Sequence, residues 1–170
     1  ALPRLKLSQI KKIDEYKVYK FILYKSTKEY YTFCTPECAS YIDSYFEFRI
    51  RNGEILTDDS YLIREQFDIN DLEKIRKNGK GISPANLSNL LRSLVVRTGL
   101  RTINHQFTGK ERTQVLIAHG LRKFWITQVI NAHINPKIRE MLLGHRIGLA
   151  SSTSRPPQHE MLEKYLQAVN

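Results

Sequence analysis

"KVYKFILYKSTKEYYTF", residues 17–33, decides the fold. Residues 18–24 and 30–33 are rich in aromatic and β-branched side chains, the composition of strands. The polar run Lys25-Ser26-Thr27-Lys28-Glu29 lies between them and reads as a turn, so the stretch is a β-hairpin. Immediately after it the pattern becomes helical. In "TPECASYIDSYFEFRIRNGE" (35–54), Thr35 is an N-cap, Pro36 the first helical residue and Gly53 a C-terminal stop. Ala39, Ile42, Tyr45, Phe46 and Arg49 share one face at the 3.6-residue period.

The rest of the chain continues helical. Residues 54–82 are less regular and include the basic, Gly-containing "RKNGKGIS" loop. Ser83-Pro84 opens a second long helix, with Leu87, Leu90, Leu91, Leu94 and Val95 as its expected buried stripe and Gly99 at its end. A third helix is expected over 118–132, and a fourth from Asn135-Pro136 to Gly144. "SSTSRPPQ" reads as a loop and "HEMLEKYLQAV" as a last amphipathic helix. There is no internal repeat and no long linker. The expected architecture is one α+β domain over 1–170, mostly helical, with a small antiparallel sheet near the N-terminus.

Composition narrows the function. The 170 residues are 41% hydrophobic and 26% charged, enough for a real core and unlike a disordered chain. Lys and Arg number 27 against 17 Asp and Glu, a net charge of +10. Such a surplus points to a polyanionic partner, most often nucleic acid. No run of 18 apolar residues exists, so no membrane span is expected, and no signal peptide is visible. Cys34 and Cys38, in "CTPEC", are too few for a disulfide framework. No second Cys/His pair stands at finger spacing, so no metal site is expected. The favoured reading is two reduced thiols at a helix start.

Two motifs carry chemistry. "AHGLRKFW" (118–125) places His119 three residues before Arg122, on one helix face. "MLLGHR" (141–146) places His145 directly after a helix-stopping glycine, on a turn. Arginine offers a rigid fork of donors suited to phosphate oxygens, and histidine donates to the same phosphate or moves a proton. Two histidines, an arginine and a lysine around one phosphate suit phosphoryl transfer without a metal.

The order of these pieces resembles the catalytic domain of the tyrosine recombinases, the phage-type integrase family, and is closest to archaeal-type integrases of mobile elements. "HGLRKFW" is similar to the family's second box and "REMLLGH" to its third. The hairpin resembles the one whose turn bears the family's catalytic lysine, and the likeness runs from "ALPRLKLSQI" to "MLEKYLQAV". It implies a tyrosine-recombinase-like fold and site-specific DNA recombination or integration, by strand breakage and rejoining through a 3′-phosphotyrosyl intermediate. No cofactor is implied. The implied partner is double-stranded DNA, with self-association on it, and the implied location is the cytoplasm, on DNA.

The same resemblance implies residue roles. Arg122 would clamp the scissile phosphate, His119 would assist, and His145 would hold the phosphate from the other side. Lys25 would protonate the departing 5′ oxygen, with Lys28 as the alternative. Arg92, Arg97, Arg101, Lys110, Arg112 and Lys123, together with Lys28, are expected to contact DNA.

Two departures stand out. The family's other catalytic arginine would precede Ala1, so the chain reads as an N-terminally truncated catalytic domain. The nucleophilic tyrosine usually follows the third box by about nine residues, where this chain has Ser154. Tyr165 is the remaining candidate, yet it shares an apolar stripe with Met161, Leu162, Leu166 and Val169, so it also reads as a core residue. The alternatives are a lost nucleophile or one supplied by a tail. The expectation is a chain that is inactive or impaired alone, or a relative that only binds DNA.

Overall fold

The computed structural model describes residues 2–25, 28–76, 79–100, 117–145 and 156–169, and of Lys25, Lys28 and Arg76 the backbone alone. The hairpin is there and a third strand joins it. Strands β1 (Ile10–Ile13), β2 (Val18–Lys25) and β3 (Lys28–Phe33) form an antiparallel meander in that order. β1 pairs Ile10 with Phe21 and Ile13 with Val18, and β2 pairs Lys20 with Phe33 and Lys25 with Lys28. The ladder thus runs further into the polar run than composition suggested. Tyr24 faces Glu29 across it, with Tyr24 Oη donating to Glu29 Oε2 at 3.3 Å.

Alternation along the strands gives the sheet two faces, each covered. Tyr19 and Cys34 pack with Ala39 of helix α1 (Pro36–Arg51), and Phe21, Ile42 and Phe46 flank them. On the other face Val18, Tyr31 and Phe33 meet three helices: α4 (Ile117–Asn131), α5 (Pro136–Leu142) and α6 (Gln158–Val169). Val129, Ile138, Leu142, Met161 and Leu162 complete that core. Burying each such side chain is worth roughly 1.5–3 kcal/mol. The last helix buries Met161, Leu162, Tyr165 and Ala168, while Leu166 and Val169 pack half-buried at its margin.

Local capping explains the helix starts. Thr35, Ser83 and Asn135 each accept a backbone N–H from the first turn, of Cys38, Asn86 and Lys137 respectively, and a proline follows each cap. A short helix α2 (Leu72–Arg76) lies in the region read as irregular.

Helix α3 (Pro84–Arg97) corrects one expectation, because it has no buried residue among those described. Leu90 and Leu94 of its apolar stripe are each about half exposed. A cleft of about 810 Å³ separates the helix from α1, with Phe48, Phe67 and Leu90 in its walls.

The segment after α1 is tied down by charge. Arg49 is 1% exposed and Arg64 4%, and both bind the buried Glu54. Arg49 Nη2 lies 2.6 Å from Glu54 Oε1, and Arg64 Nη1 lies 2.8 Å from Oε2. Burial pushes the Glu54 carboxyl up, but hydrogen bonds from the two arginines outweigh it and hold the group below its ordinary range. Among the described residues no helix is long and apolar enough to cross a membrane.

Candidate functional site

The site begins with a helix end. After Leu142 the chain leaves α5 through a left-handed glycine, Gly144, with φ +67°. The Gly144 N–H donates to Met141 O at 3.0 Å, and the His145 N–H donates to Glu140 O at 2.9 Å. This pair of bonds is a Schellman motif, which satisfies carbonyls the helix would leave open. It also sets the residue after glycine beside the residue five earlier. The His145 ring accordingly meets the Glu140 carboxylate, Nδ1 to Oε2 at 2.6 Å. Arg139 Nε donates to the other oxygen of Glu140 at 3.2 Å.

Glycine is required here for a second reason. A Cβ at position 144 would lie 2.6 Å from Cε2 of Tyr30, on β3. The Tyr30 ring therefore sets how closely the turn lies on the sheet.

Helix α4 brings Arg122 to the same point. Arg122 Nη2 lies 2.7 Å from His145 Nε2 and donates to Leu143 O at 3.3 Å. Two residues from separate motifs thus meet, and Glu140 stands behind them. The hydrogen bond from His145 holds the Glu140 carboxyl below its ordinary range, against burial and with help from Arg139.

Beside Arg122 is an open cleft of about 430 Å³. Its walls are aromatic rather than basic: Tyr30, Phe33, Trp125 and Tyr165 line it, and Arg122 is the one cation among the described lining residues. The basic side chains sit on exposed faces instead. Arg92 and Arg97 on α3 and Lys123 on α4 are exposed and do not line this cleft. His119 lies one turn before Arg122 on α4, is also exposed, and is not a lining residue.

Tyr165 reaches the cleft from α6 but is 7% exposed. Its ring stacks on Trp125 at 6.3 Å between centroids and tilts against Phe33 at 5.8 Å. Burial pushes its phenol well above the ordinary value, so the hydroxyl stays protonated at neutral pH. Lys25 and Lys28 pair at the far end of the hairpin, where only their backbone is described. Arg101, Lys110, Arg112 and Ser154 lie outside the described residues.

Glu140 is the site residue that sequence reasoning missed. The signal was available, because Glu140 stands five residues before His145 across a helix-ending glycine. The same spacing recurs at the end of α1, where Gly53 separates Arg49 from Glu54. There the Gly53 N–H donates to Ile50 O at 2.9 Å and the Glu54 N–H to Arg49 O at 3.1 Å. Compared with known proteins, the chain matches no family model, no curated protein and no solved structure.

Proposed function

We propose that this chain binds the phosphodiester backbone of duplex DNA through Arg122 and His145, as a catalytic-type domain of the tyrosine recombinase kind. The observation that carries the reading is the 2.7 Å approach of Arg122 Nη2 to His145 Nε2 beside an open cleft. A phosphate oxygen inserted between them would accept from both. The guanidinium supplies a fixed positive fork, and His145 supplies a donor backed by the Glu140 carboxylate. The net charge of +10 favours a polyanion.

In the full reaction a tyrosine oxygen attacks phosphorus, a 3′-phosphotyrosyl bond forms, and the 5′ oxygen leaves with a proton. Attack by a 5′ hydroxyl on that linkage reverses the step, so no outside energy source is needed. Tyr165 is the tyrosine nearest this role by its place in the cleft lining. Its burial favours a second reading, in which the chain holds DNA and does not cut it. Presenting Tyr165 would strip its ring from Trp125 and Phe33 and draw Met161 and Leu162 from the core, at roughly 1.5–3 kcal/mol for each large apolar side chain exposed.

Incubation with nicked suicide duplexes, followed by denaturing gels, tests both readings. The expected result is salt-sensitive DNA binding, weakened in Arg122→Ala, with no covalent adduct. An adduct that disappears in Tyr165→Phe would make Tyr165 the nucleophile and the chain a strand-transfer enzyme. Absence of DNA binding at low salt would end both readings.

A further inference from the structure

The two cysteines lie on the opposite side of the sheet's end from the Arg122 site, and the function proposed above does not use them. Cys34 directly follows β3, and Cys38 is the third residue of α1. The Thr35 cap turns the chain between them, its Oγ1 accepting the Cys38 N–H at 3.1 Å. That turn brings the thiols together, and they are hydrogen-bonded to each other.

Their surroundings differ in the way an attacking and a resolving thiol differ. Cys34 is 6% exposed, packs with Tyr19 and Ala39, and its Sγ accepts the Tyr19 N–H at 3.2 Å. Cys38 is exposed. The hydrogen bond from Cys34 lowers the Cys38 thiol to about 7, against burial and the Glu37 carboxylate. The unpaired N–H groups at the start of α1 favour the thiolate in the same sense. Cys34 moves the other way, pushed up by its bond to Cys38 and by burial.

We propose that Cys38 and Cys34 form a hydroperoxide-reactive pair, with Cys38 as the attacking thiolate and Cys34 as the resolving thiol. The Cys38 sulfur attacks an oxygen of a hydroperoxide, ROOH. The O–O bond breaks, RO⁻ leaves and takes up a proton as ROH, and Cys38 is oxidised to the sulfenic acid. Cys34 then gives up its proton, and its sulfur attacks the Cys38 sulfur. The S–O bond breaks, the hydroxyl leaves as water with that proton, and a disulfide forms. The balance is two thiols oxidised, one peroxide reduced, one alcohol and one water released. The product staples the end of β3 to the first turn of α1.

The test uses the whole chain, freed of reductant, and dilute hydrogen peroxide at neutral pH. Mass spectrometry of the wild type is expected to show loss of two hydrogens and a Cys34–Cys38 linked peptide. In Cys34→Ser, oxidation is expected to stop at the sulfenic acid, which a 1,3-dione labels at Cys38. Cys38→Ser is expected to resist the same dose. Cys34 is buried and its variant could unfold, so a second measurement needs no variant. At pH 7, iodoacetamide is expected to alkylate Cys38 in the folded wild type about threefold faster than in urea, since the gain in thiolate outweighs its lower nucleophilicity. Intermolecular dimers or higher oxides without the intrachain bond would overturn the proposal. So would equal alkylation rates in the folded and unfolded chain.

Discussion

Arg122 Nη2 and His145 Nε2 stand 2.7 Å apart, and arginine can only donate. Nε2 must therefore present its lone pair, and the ring proton sits on Nδ1, which donates to Glu140 Oε2 at 2.6 Å. Two donors would repel at that separation. In the free chain His145 is accordingly expected to be the neutral Nδ1–H tautomer. Nitrogen-15 NMR of labelled histidine checks this, and an Nε2–H tautomer at His145 would show that the Arg122 contact does not form in solution.

DNA binding is expected to take up a proton at this ring. When a phosphate oxygen replaces the Nε2 lone pair as the acceptor for Arg122, Nε2 faces an anion and the charged ring is favoured. Affinity for a short duplex is expected to rise as pH falls through the neutral range. Calorimetry in buffers of different ionisation enthalpy measures the uptake, which His145→Gln should abolish. Glu140→Ala should weaken binding by about fivefold, about 1 kcal/mol for a partly exposed charged partner. An unchanged affinity would remove Glu140 from the site.

Gly144→Ala tests the turn. The left-handed backbone there costs a residue with a Cβ about 1–2 kcal/mol, and the added carbon would meet the Tyr30 ring at 2.6 Å. Urea denaturation is expected to show a loss at least that large, with weaker DNA binding as His145 shifts. Adding Tyr30→Ala should relieve the collision but leave the backbone cost. If the double variant recovers nothing beyond the sum of the single effects, the Tyr30 contact is not what positions the turn.

Glu54→Gln should destabilise the fold by about 3–5 kcal/mol, because it leaves two buried guanidinium groups without their carboxylate. The pH dependence has a definite sign. The folded-state pKa of Glu54 is depressed, so its contribution is present above the ordinary carboxylate value of about 4.3 and is lost as pH falls below it. Denaturation midpoints at neutral and acid pH should converge for the wild type and Glu54→Gln. A difference that persists undiminished in acid would contradict this account.

Exposed cations should act on DNA uniformly. Arg92, Arg97 and Lys123 are exposed, and each, changed to alanine, is expected to reduce the slope of log affinity against log salt by about 1 without altering sequence preference. Fluorescence anisotropy with two unrelated duplexes measures both quantities. A loss confined to one duplex would mark base contact rather than phosphate contact.

Much of this protein was determined by near neighbours in the chain. The hairpin, the capped starts of α1, α3 and α5 and the glycine-ended helices follow from side chains that act within one turn or one strand pair. The Arg49–Glu54 and Glu140–His145 pairs are local in the same way, since a Schellman end places such residues together whatever the rest of the fold does. The periodicity of the last helix likewise marked Met161, Leu162 and Tyr165 as inward-facing.

Other features needed the assembled molecule. Arg122 reaches His145 because α4 and α5 pack on one sheet face, and no spacing in the sequence encodes that meeting. Tyr30 lies beneath Gly144 only because β3 runs under the turn. Trp125 and Phe33 enclose Tyr165 from two different elements, which decides that its hydroxyl is buried rather than offered to a phosphate. The stripe on α3 shows the converse, since a period of 3.6 marks an apolar face but not whether another element covers it. Hydrogen bonds within a turn depend on adjacent residues, whereas burial depends on what surface arrives from elsewhere in the chain.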